Sequence, residues 1–397
     1  MHRHFEDLNP PRRLLFGAGP SNPEPRVLRA MAAPPLGTLD PAFTALVDEV
    51  AELCRYVFRT RSWRSFPAPG AARAGLEAVL ASVVEAGDRV VVGVNGQFGA
   101  LLAEIARRHG AAVATVEGEW GRVLEPDALL AALRQRPTRL VALVHADPST
   151  GVVQPLAEIA RACREHDALL LVDAALSLGG CTVDVDAWDL DACVGGLQKC
   201  LGGPAGLAPL TYGERVETVL AARRGPPRTS FLDLTQLQDQ WSPERLPHHT
   251  PPAGLVYALR EALRIVQTEG LERRWKRHRC VGAALAAGLE ALGLRLFGDP
   301  RHRTPMLALA EVPEGVSEPR VRQRLLNDYG IEIAPGHGPL YGRVWRVGLM
   351  GYNARLESAL AVLGALEAVL AAEGFGVAPH AAAQAAHAAY EDACAAV

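Results

Sequence analysis

Apolar and polar positions along the first half of the chain alternate between two periods. Short continuous apolar runs predict buried strands at 89–94, 111–116, 140–145 and 168–173. Between these runs, apolar residues recur at helical spacing and predict helices at 98–109, 127–134 and 156–166. Strands that are apolar on both faces and alternate with helices are typical of a parallel sheet covered on both sides. The pattern therefore predicts an α/β fold.

The pattern changes at both ends of this region. Residues 1–16 are polar and are predicted to form an extended N-terminal arm that lies on a partner subunit. A proline-rich stretch at 223–252 is predicted to be irregular, and long helices over 255–292 lead to a region of mixed strands and helices. We therefore predict a large domain at 17–268 and a smaller α+β domain at 269–397.

Composition narrows the class of protein. The 397 residues are half apolar with a net charge of −3, which favours a globular enzyme of about two domains over a nucleic-acid or membrane-surface protein. Seven scattered cysteines predict reduced thiols in the cytoplasm, without a disulfide framework. The basic run at 273–279 is interpreted as a solvated helix face. His248 and His249 are adjacent and expected to point apart, so no metal site is predicted.

One lysine is the strongest candidate for chemistry. Lys199 follows a short apolar run at 192–195 and lies in a glycine-rich turn, where burial would lower the pKa of its amine. Asp173 ends the preceding apolar run, and ligands of parallel sheets bind at the carboxyl ends of strands. A Schiff-base lysine and a carboxylate form the pair that pyridoxal 5'-phosphate (PLP) requires. A surface-loop lysine is the alternative.

Three further segments could complete such a site. The turn before an alanine-rich helix at 71–84 would present free N–H groups to a phosphate. Arg346 lies in an apolar strand at 344–350, where a substrate carboxylate or an internal acidic residue would satisfy it. The glycine-containing turn at 17–22 could approach a substrate or could be an ordinary loop.

Together these residues resemble the class V, fold-type I PLP-dependent aminotransferases, in particular the alanine/serine–glyoxylate branch. Some stretches look most like bacterial (S)-ureidoglycine–glyoxylate aminotransferases. The resemblance implies a mostly parallel sheet in the large domain. It rests on Gly-Ala-Gly-Pro-Ser-Asn at 17–22, Leu-Asp-Pro-Ala-Phe at 39–43, Gly-Leu-Glu-Ala at 75–78, Ser-Thr-Gly at 149–151, Val-Asp-Ala at 172–174, Gln-Lys at 198–199, His-His-Thr at 248–250 and Arg-Val-Gly-Leu at 346–349.

The resemblance assigns roles around the cofactor. Lys199 would bind the PLP aldehyde and move the proton of the substrate, and Asp173 would pair with the pyridine nitrogen. Phe98 would stack on the ring, and Gln198 would lie beside the cofactor.

The resemblance also assigns substrate and subunit contacts. Arg346 would bind the carboxylate of the amino or keto acid, and Gly19 would line the substrate site. Thr250 would reach the phosphate in the neighbouring subunit, which implies a homodimer with shared sites. Two half-reactions would then give ping-pong kinetics.

Several cofactor positions depart from the family pattern. Ala71 and Ala72 replace a usual hydroxyl residue at the phosphate turn, where Arg73 could compensate. Pro148 replaces a hydroxyl residue near the phenolic oxygen of the cofactor, and Leu197 replaces one before the lysine. Each lost hydrogen bond is worth about 0.5–1.5 kcal/mol.

Two substrate positions also depart. Thr38 and Pro247 stand where ureidoglycine enzymes carry a glutamine and an asparagine that bind the ureido group. We therefore expect transfer from a small amino acid, such as alanine or serine, to glyoxylate or pyruvate. Ureidoglycine transamination, class V lyase chemistry and a non-catalytic homologue with a weakened cofactor site are the alternatives.

Overall fold

The computed structural model describes residues 6–396, so residues 1–5 of the predicted arm lie outside the described part. Two short 3₁₀ helices occupy Gly338–Leu340 and Gly351–Asn353. The α-helices are α1 Pro25–Met31, α2 Pro41–Phe58, α3 Ala72–Val83, α4 Gln97–Arg108, α5 Pro126–Gln135, α6 Ala157–Glu165, α7 Glu214–Ala221, α8 Leu234–Trp241, α9 Ala253–Glu269, α10 Leu271–Ala291, α11 Glu318–Tyr329, α12 Leu356–Ala372 and α13 Ala381–Ala395. The strands are β1 Leu14–Leu15, β2 Ser65–Pro69, β3 Arg89–Val94, β4 Ala112–Glu117, β5 Leu140–Val144, β6 Ala146–Asp147, β7 Val152–Val153, β8 Leu169–Ala174, β9 Ala192–Gly195, β10 Leu207–Tyr212, β11 Leu307–Glu311, β12 Ile331–Glu332, β13 Ala334–Pro335 and β14 Val344–Gly348.

The main sheet has seven strands in the order β2-β10-β9-β8-β5-β3-β4. Its strands run parallel except β10, which is antiparallel to both neighbours. The predicted mostly parallel α/β fold is confirmed. The Pro/Gly stretch from Phe66 that leads into the alanine-rich helix was expected to be a turn, but Ser65–Pro69 form the edge strand β2. Proline is tolerated there because an edge strand needs hydrogen bonds on one side only.

Burial on both faces explains the continuous apolar strands. In β8, Leu170 and Val172 pack into the core that contains α2, α6 and α9 residues, whereas Leu169 and Leu171 pack against α3 and α4. The pair Asp40-Pro41 predicts the N-cap and the first residue of a helix, and this cap is present in α2, because the Asp40 carboxylate accepts a hydrogen bond from the Ala42 N–H at 2.8 Å.

A three-stranded antiparallel sheet, β11-β14-β13, forms the second part of the fold. Helices α10, α11 and α12 supply its apolar core, which also takes in Phe16 from the end of the predicted arm. Within the described part of that arm, β1 pairs with β12 of the same chain. The boundaries at residues 17 and 269 stay predictions.

Three sequence interpretations need correction. The segment 223–252 contains α8, whose N-cap Asp233 accepts from the Thr235 N–H. The apolar residues at 294–297 predict a strand, which in the structure is reduced to one bridge between Leu296 and Ala310. The basic run at 273–279 is not wholly solvated, because Arg274 is buried on α10 and pairs with Glu269 at 2.6 Å.

The expectation that all cysteines are reduced is also wrong. Cys280 on α10 and Cys394 on α13 form a disulfide, because the two helices pack side by side. The pair is separated by 114 residues, so sequence spacing could not reveal it. The other five cysteines are free.

Within residues 6–396, no helix is both long and apolar enough to cross a membrane.

Candidate active site

Asp173 lies near the carboxyl end of β8, and Lys199 follows the neighbouring strand β9 of the main sheet. Strands β8 and β9 are parallel, with Asp173 opposite Val194, so both side chains lie toward the same sheet edge. Asp173 is 5% exposed, and its Oδ1 accepts from the Ala175 N–H at 2.8 Å. Burial raises the pKa of Asp173 to about 6, and the nearby Lys199 charge partly opposes this rise.

The pKa of the Lys199 amine is shifted in the opposite direction, below its usual value. Burial, followed by the charge of Arg346, lowers the pKa of Lys199 from 10.5 to about 8. The lysine is therefore not the solvated surface residue considered as the alternative. An amine that releases its proton near neutral pH is chemically suited to attack an aldehyde.

The turn at 17–22 packs directly on the lysine loop. Lys199 Nζ donates to the carbonyl of Ala18, and Ser21 Oγ donates to the Lys199 carbonyl at 3.0 Å. A Cβ on Gly19 would lie 2.1 Å from Lys199 Nζ, and Gly19 has φ of +105°. Glycine is therefore required for this approach. The structure places Gly19 at the site, and its role in substrate binding stays a prediction.

The start of α3 is open to an anion. Its N-cap residue, Ala71, supplies no side-chain hydrogen bond. The Ala74 N–H donates to the Ala71 carbonyl at 2.8 Å, and the N–H groups of Ala72 and Arg73 keep their donor capacity. Gly70 N–H donates to the Gly206 carbonyl at 2.8 Å, which ties this turn to the loop that follows Lys199. Arg73 is exposed, and the structure shows no partner for it within the described residues.

Arg346 is 6% exposed in β14 and has no ion pair within residues 6–396. Its Nε donates to the Pro335 carbonyl at 2.6 Å and its Nη1 to the Pro148 carbonyl at 2.9 Å. Burial lowers the pKa of Arg346 to about 10, and the charge of Asp147 partly offsets this effect. Of the two alternatives, the internal acidic partner is not found within the described residues; backbone carbonyls bind Nε and Nη1, and Nη2 is left for the carboxylate of a substrate.

The residues around Pro148 and Phe98 are joined to each other by hydrogen bonds beside the candidate site. Asp147 Oδ1 accepts from the Ser149 N–H at 2.7 Å, while Ser149 Oγ accepts from the Gln97 N–H at 2.9 Å. These bonds fix the start of α4, where Phe98 is partly buried. Asp147 and Ser149 were not predicted as site residues, although they lie just beyond the carboxyl end of β5 and Asp173 lies near the carboxyl end of the neighbouring strand β8.

Two more positions were missed because only tertiary contact identifies them. Ser21 binds the lysine loop, and His337 contacts Phe98 edge-on with ring centroids 6.2 Å apart. Ser21 belongs to the turn at 17–22 that the sequence singled out, but neither residue lies near a strand end of the main sheet, and neither was chosen as a site residue.

Thr38, Pro247 and Thr250 are exposed in the single chain. No hydrogen bond within the described residues joins them to Lys199. Their predicted roles require a second subunit and stay predictions.

His248 and His249 do not point apart as expected. Their Nδ1 atoms lie 2.9 Å apart, because this segment is irregular rather than a strand. Within residues 6–396, no group of three or more histidine, cysteine or acidic residues is arranged to hold a metal ion.

The residues fit PLP. A buried carboxylate, an amine with a lowered pKa, an uncapped helix start and an arginine with a free Nη2 match the ring nitrogen, aldehyde and phosphate of PLP and the carboxylate of a substrate. The Gln198 Oε1 atom is also buried without a partner in the described region, as expected for a polar group beside a ligand.

Comparison with known proteins agrees with this chemistry. Residues 14–357 match the family model described as aminotransferase class-V. A (S)-ureidoglycine–glyoxylate transaminase from Bacillus subtilis is 46% identical over 98% of this chain and 97% of its own.

Solved structures give the same result. The ureidoglycine–glyoxylate aminotransferase from Bacillus subtilis has a TM-score of 0.96 at 48% identity, covering 97% of this chain and 100% of that one. An alanine–glyoxylate aminotransferase from Nostoc has a TM-score of 0.91 at 44% identity, covering 93% and 98%. The chain therefore belongs to the PLP-dependent class-V aminotransferases.

Proposed function

We propose that the protein transfers the amino group of a small amino acid, such as alanine or serine, to glyoxylate or pyruvate. The observation that carries this proposal is the convergence of Lys199, Asp173 and Arg346 in one buried site. The relatives named above act on glyoxylate, which supports a small oxo acid as acceptor.

Each of these residues has a definable task. When bound, PLP accepts the electron pair that is left when the α-proton of the amino acid is removed. Lys199 is suited to move that proton, since a pKa of about 8 leaves about a tenth of its amine neutral at pH 7. Asp173 would hold a proton on the ring nitrogen, and Arg346 Nη2 would bind the substrate carboxylate. The N–H groups at the start of α3 would bind the phosphate.

The test combines cofactor titration with donor addition. PLP should bind the purified protein, and its visible absorbance band should bleach when alanine or serine is added. Lys199→Ala should abolish the bound-cofactor band and transamination while leaving the fold intact. Arg346→Ala should raise the KM for carboxylate substrates. Transamination that survives Lys199→Ala would contradict the mechanism, and an unchanged KM would remove Arg346 from the site.

The homodimer with shared sites is part of the proposal. Large apolar side chains are exposed near Thr38 and Pro247, namely Met31, Leu39 and Leu246, which supports a second subunit covering this face. Light scattering tests the dimer.

Shared sites can be tested separately. Refolding Lys199→Ala together with Thr250→Ala should produce hybrid dimers with one intact site, and activity should exceed that of either variant alone. Activity that never exceeds the parents would contradict sharing.

Ureidoglycine is the second candidate donor, favoured by the high similarity to the Bacillus subtilis transaminase. Thr38 and Pro247 oppose it, since a proline offers no side-chain hydrogen bond to a ureido group. Direct comparison of kcat/KM for ureidoglycine and serine decides between the donors. We also propose a cytoplasmic location, which the five free cysteines support and the Cys280–Cys394 disulfide opposes, and which cell fractionation tests.

A further inference from the structure

The end of β13 and the residues after it are hydrogen-bonded to β14, the strand that carries Arg346. The Pro335 carbonyl accepts from Arg346 Nε at 2.6 Å, and the Gly336 N–H donates to the Val344 carbonyl at 3.0 Å. The next residue is His337, whose carbonyl accepts from the Leu340 N–H at 2.9 Å. His337 is thus held close to Arg346 by backbone contacts, independently of its own side chain.

A close contact fixes the other side of this segment. Gly338 has φ of +49°, and a Cβ built on it would lie 2.9 Å from Cη2 of Trp120 and 3.7 Å from Oε1 of Gln97. Only glycine allows the turn to approach Trp120 this closely. The backbone on either side of His337 is therefore held by Arg346, through Pro335, and by the close approach of Gly338 to Trp120.

The His337 ring faces the candidate active site. It contacts Phe98 at an interplanar angle of 78°, and Phe98 is the predicted stacking residue for the cofactor ring. Burial, followed by the nearby charges of Arg346 and Lys199, holds the pKa of His337 below its usual value. The imidazole is therefore neutral at neutral pH and offers one donor and one acceptor.

The ring nitrogens of His337 have no hydrogen-bond partner within residues 6–396. The side chain is partly exposed, so its nitrogens are open to a ligand rather than sealed in the core. A donor and an acceptor beside Arg346 match an amino acid that carries a second polar group in addition to its carboxylate.

We propose that His337 is a specificity-determining residue that hydrogen-bonds an uncharged polar side chain of the amino donor while Arg346 binds the donor's carboxylate. This inference rests on the proposed aminotransferase function and narrows its substrate class to small hydroxyl- or amide-bearing amino acids. An acidic side chain is disfavoured, because Asp147 and Asp173 already place two carboxylates close to these cations.

Serine and alanine provide a matched pair of substrates, since they differ by one hydroxyl. The experiment measures kcat/KM for both donors with glyoxylate, using the PLP-loaded protein and its His337→Leu and His337→Gln variants. The wild type should prefer serine. His337→Leu should lower kcat/KM for serine about tenfold and leave alanine within twofold, as expected for one lost hydrogen bond. His337→Gln should restore most of the serine activity.

The remaining outcomes separate the two proposals. An equal fall for both donors would show that His337 only positions Arg346, and no change or a wild-type preference for alanine would equally overturn the inference. Each of these results leaves the aminotransferase function standing. A wild type that binds PLP but transaminates neither donor would overturn the proposed function and this inference with it. PLP spectra and urea midpoints of both variants establish that they are folded and loaded.

Discussion

In the cofactor-free protein, Lys199 should oppose folding. Its pKa is lowered from 10.5 to about 8, chiefly because its charged form is removed from water. The folded state therefore binds fewer protons at this amine than the unfolded chain does between pH 8 and 10.5. The free energy of unfolding that depends on Lys199 therefore rises with pH across this window. Below pH 8 the full free-energy cost of burying the charged amine is present.

The size of the effect follows from the two pKa values. The difference between 10.5 and about 8 corresponds to on the order of 3 kcal/mol below pH 8. Lys199→Met removes this cost but also loses the hydrogen bond to the Ala18 carbonyl, worth about 1 kcal/mol. We therefore expect a net stabilisation of about 2 kcal/mol at pH 7, which shrinks by about 2 kcal/mol at pH 9.5.

Urea unfolding of the cofactor-free protein at fixed concentration is the appropriate assay. Wild type and Lys199→Met are compared at pH 7 and 9.5, with Arg107→Met on the exposed face of α4 as the control cation. The control should show no pH-dependent difference from wild type. A Lys199→Met effect that is the same at both pH values would refute the idea that the amine is desolvated.

Three other substitutions test separate contacts. Gly19→Ala should weaken PLP binding at least tenfold, because the new Cβ would overlap Lys199 Nζ. The matched control is Gly87→Ala, at a glycine with φ of +89° and open space around it. This control should cost only about 1 kcal/mol of backbone strain and leave PLP affinity unchanged. Ala71→Ser restores a hydroxyl at the N-cap of α3, so PLP should bind about tenfold tighter in a fluorescence titration, and unchanged affinity would contradict the assignment of this helix start to the phosphate. Cys394→Ser should lower the free energy of unfolding by about 2–4 kcal/mol in the absence of reductant, and the difference from wild type should vanish in dithiothreitol.

The fold was largely predictable because burial on both faces produces unbroken apolar strands. The limits of β3 and β9 match the expected ones, and the cap of α2 was visible from Asp40 and Pro41. Strand β2 was missed because its prolines indicate a turn locally. What makes it a strand is pairing with β10, more than a hundred residues later, and no local pattern records such pairing.

In the candidate site, too, the residues at strand ends were predictable and the residues set by tertiary contacts were not. Lys199 and Asp173 were predictable because parallel strands bring their carboxyl ends together, and the same rule applied to β5 would have identified Asp147. The true partners of Arg346 are carbonyls of Pro148 and Pro335, which side-chain identity cannot reveal. His337 could not be found from sequence, since its neighbours come from α4 and the turn around residue 120.

The departures from the family pattern have to be weighed against what burial does to the charged groups. Three missing hydroxyls, at Ala71, Pro148 and Leu197, remove about 1.5–4.5 kcal/mol of cofactor hydrogen bonding in total. Burial disfavours the ionised forms of Lys199 and Asp173 by on the order of 3 kcal/mol each. A ligand that reacts with the Lys199 amine and places a cation beside the Asp173 carboxylate removes both of these free-energy costs. The free energy regained in this way is comparable to or larger than the free energy lost with the three hydroxyls. We therefore expect PLP binding to be weaker than in relatives but not abolished.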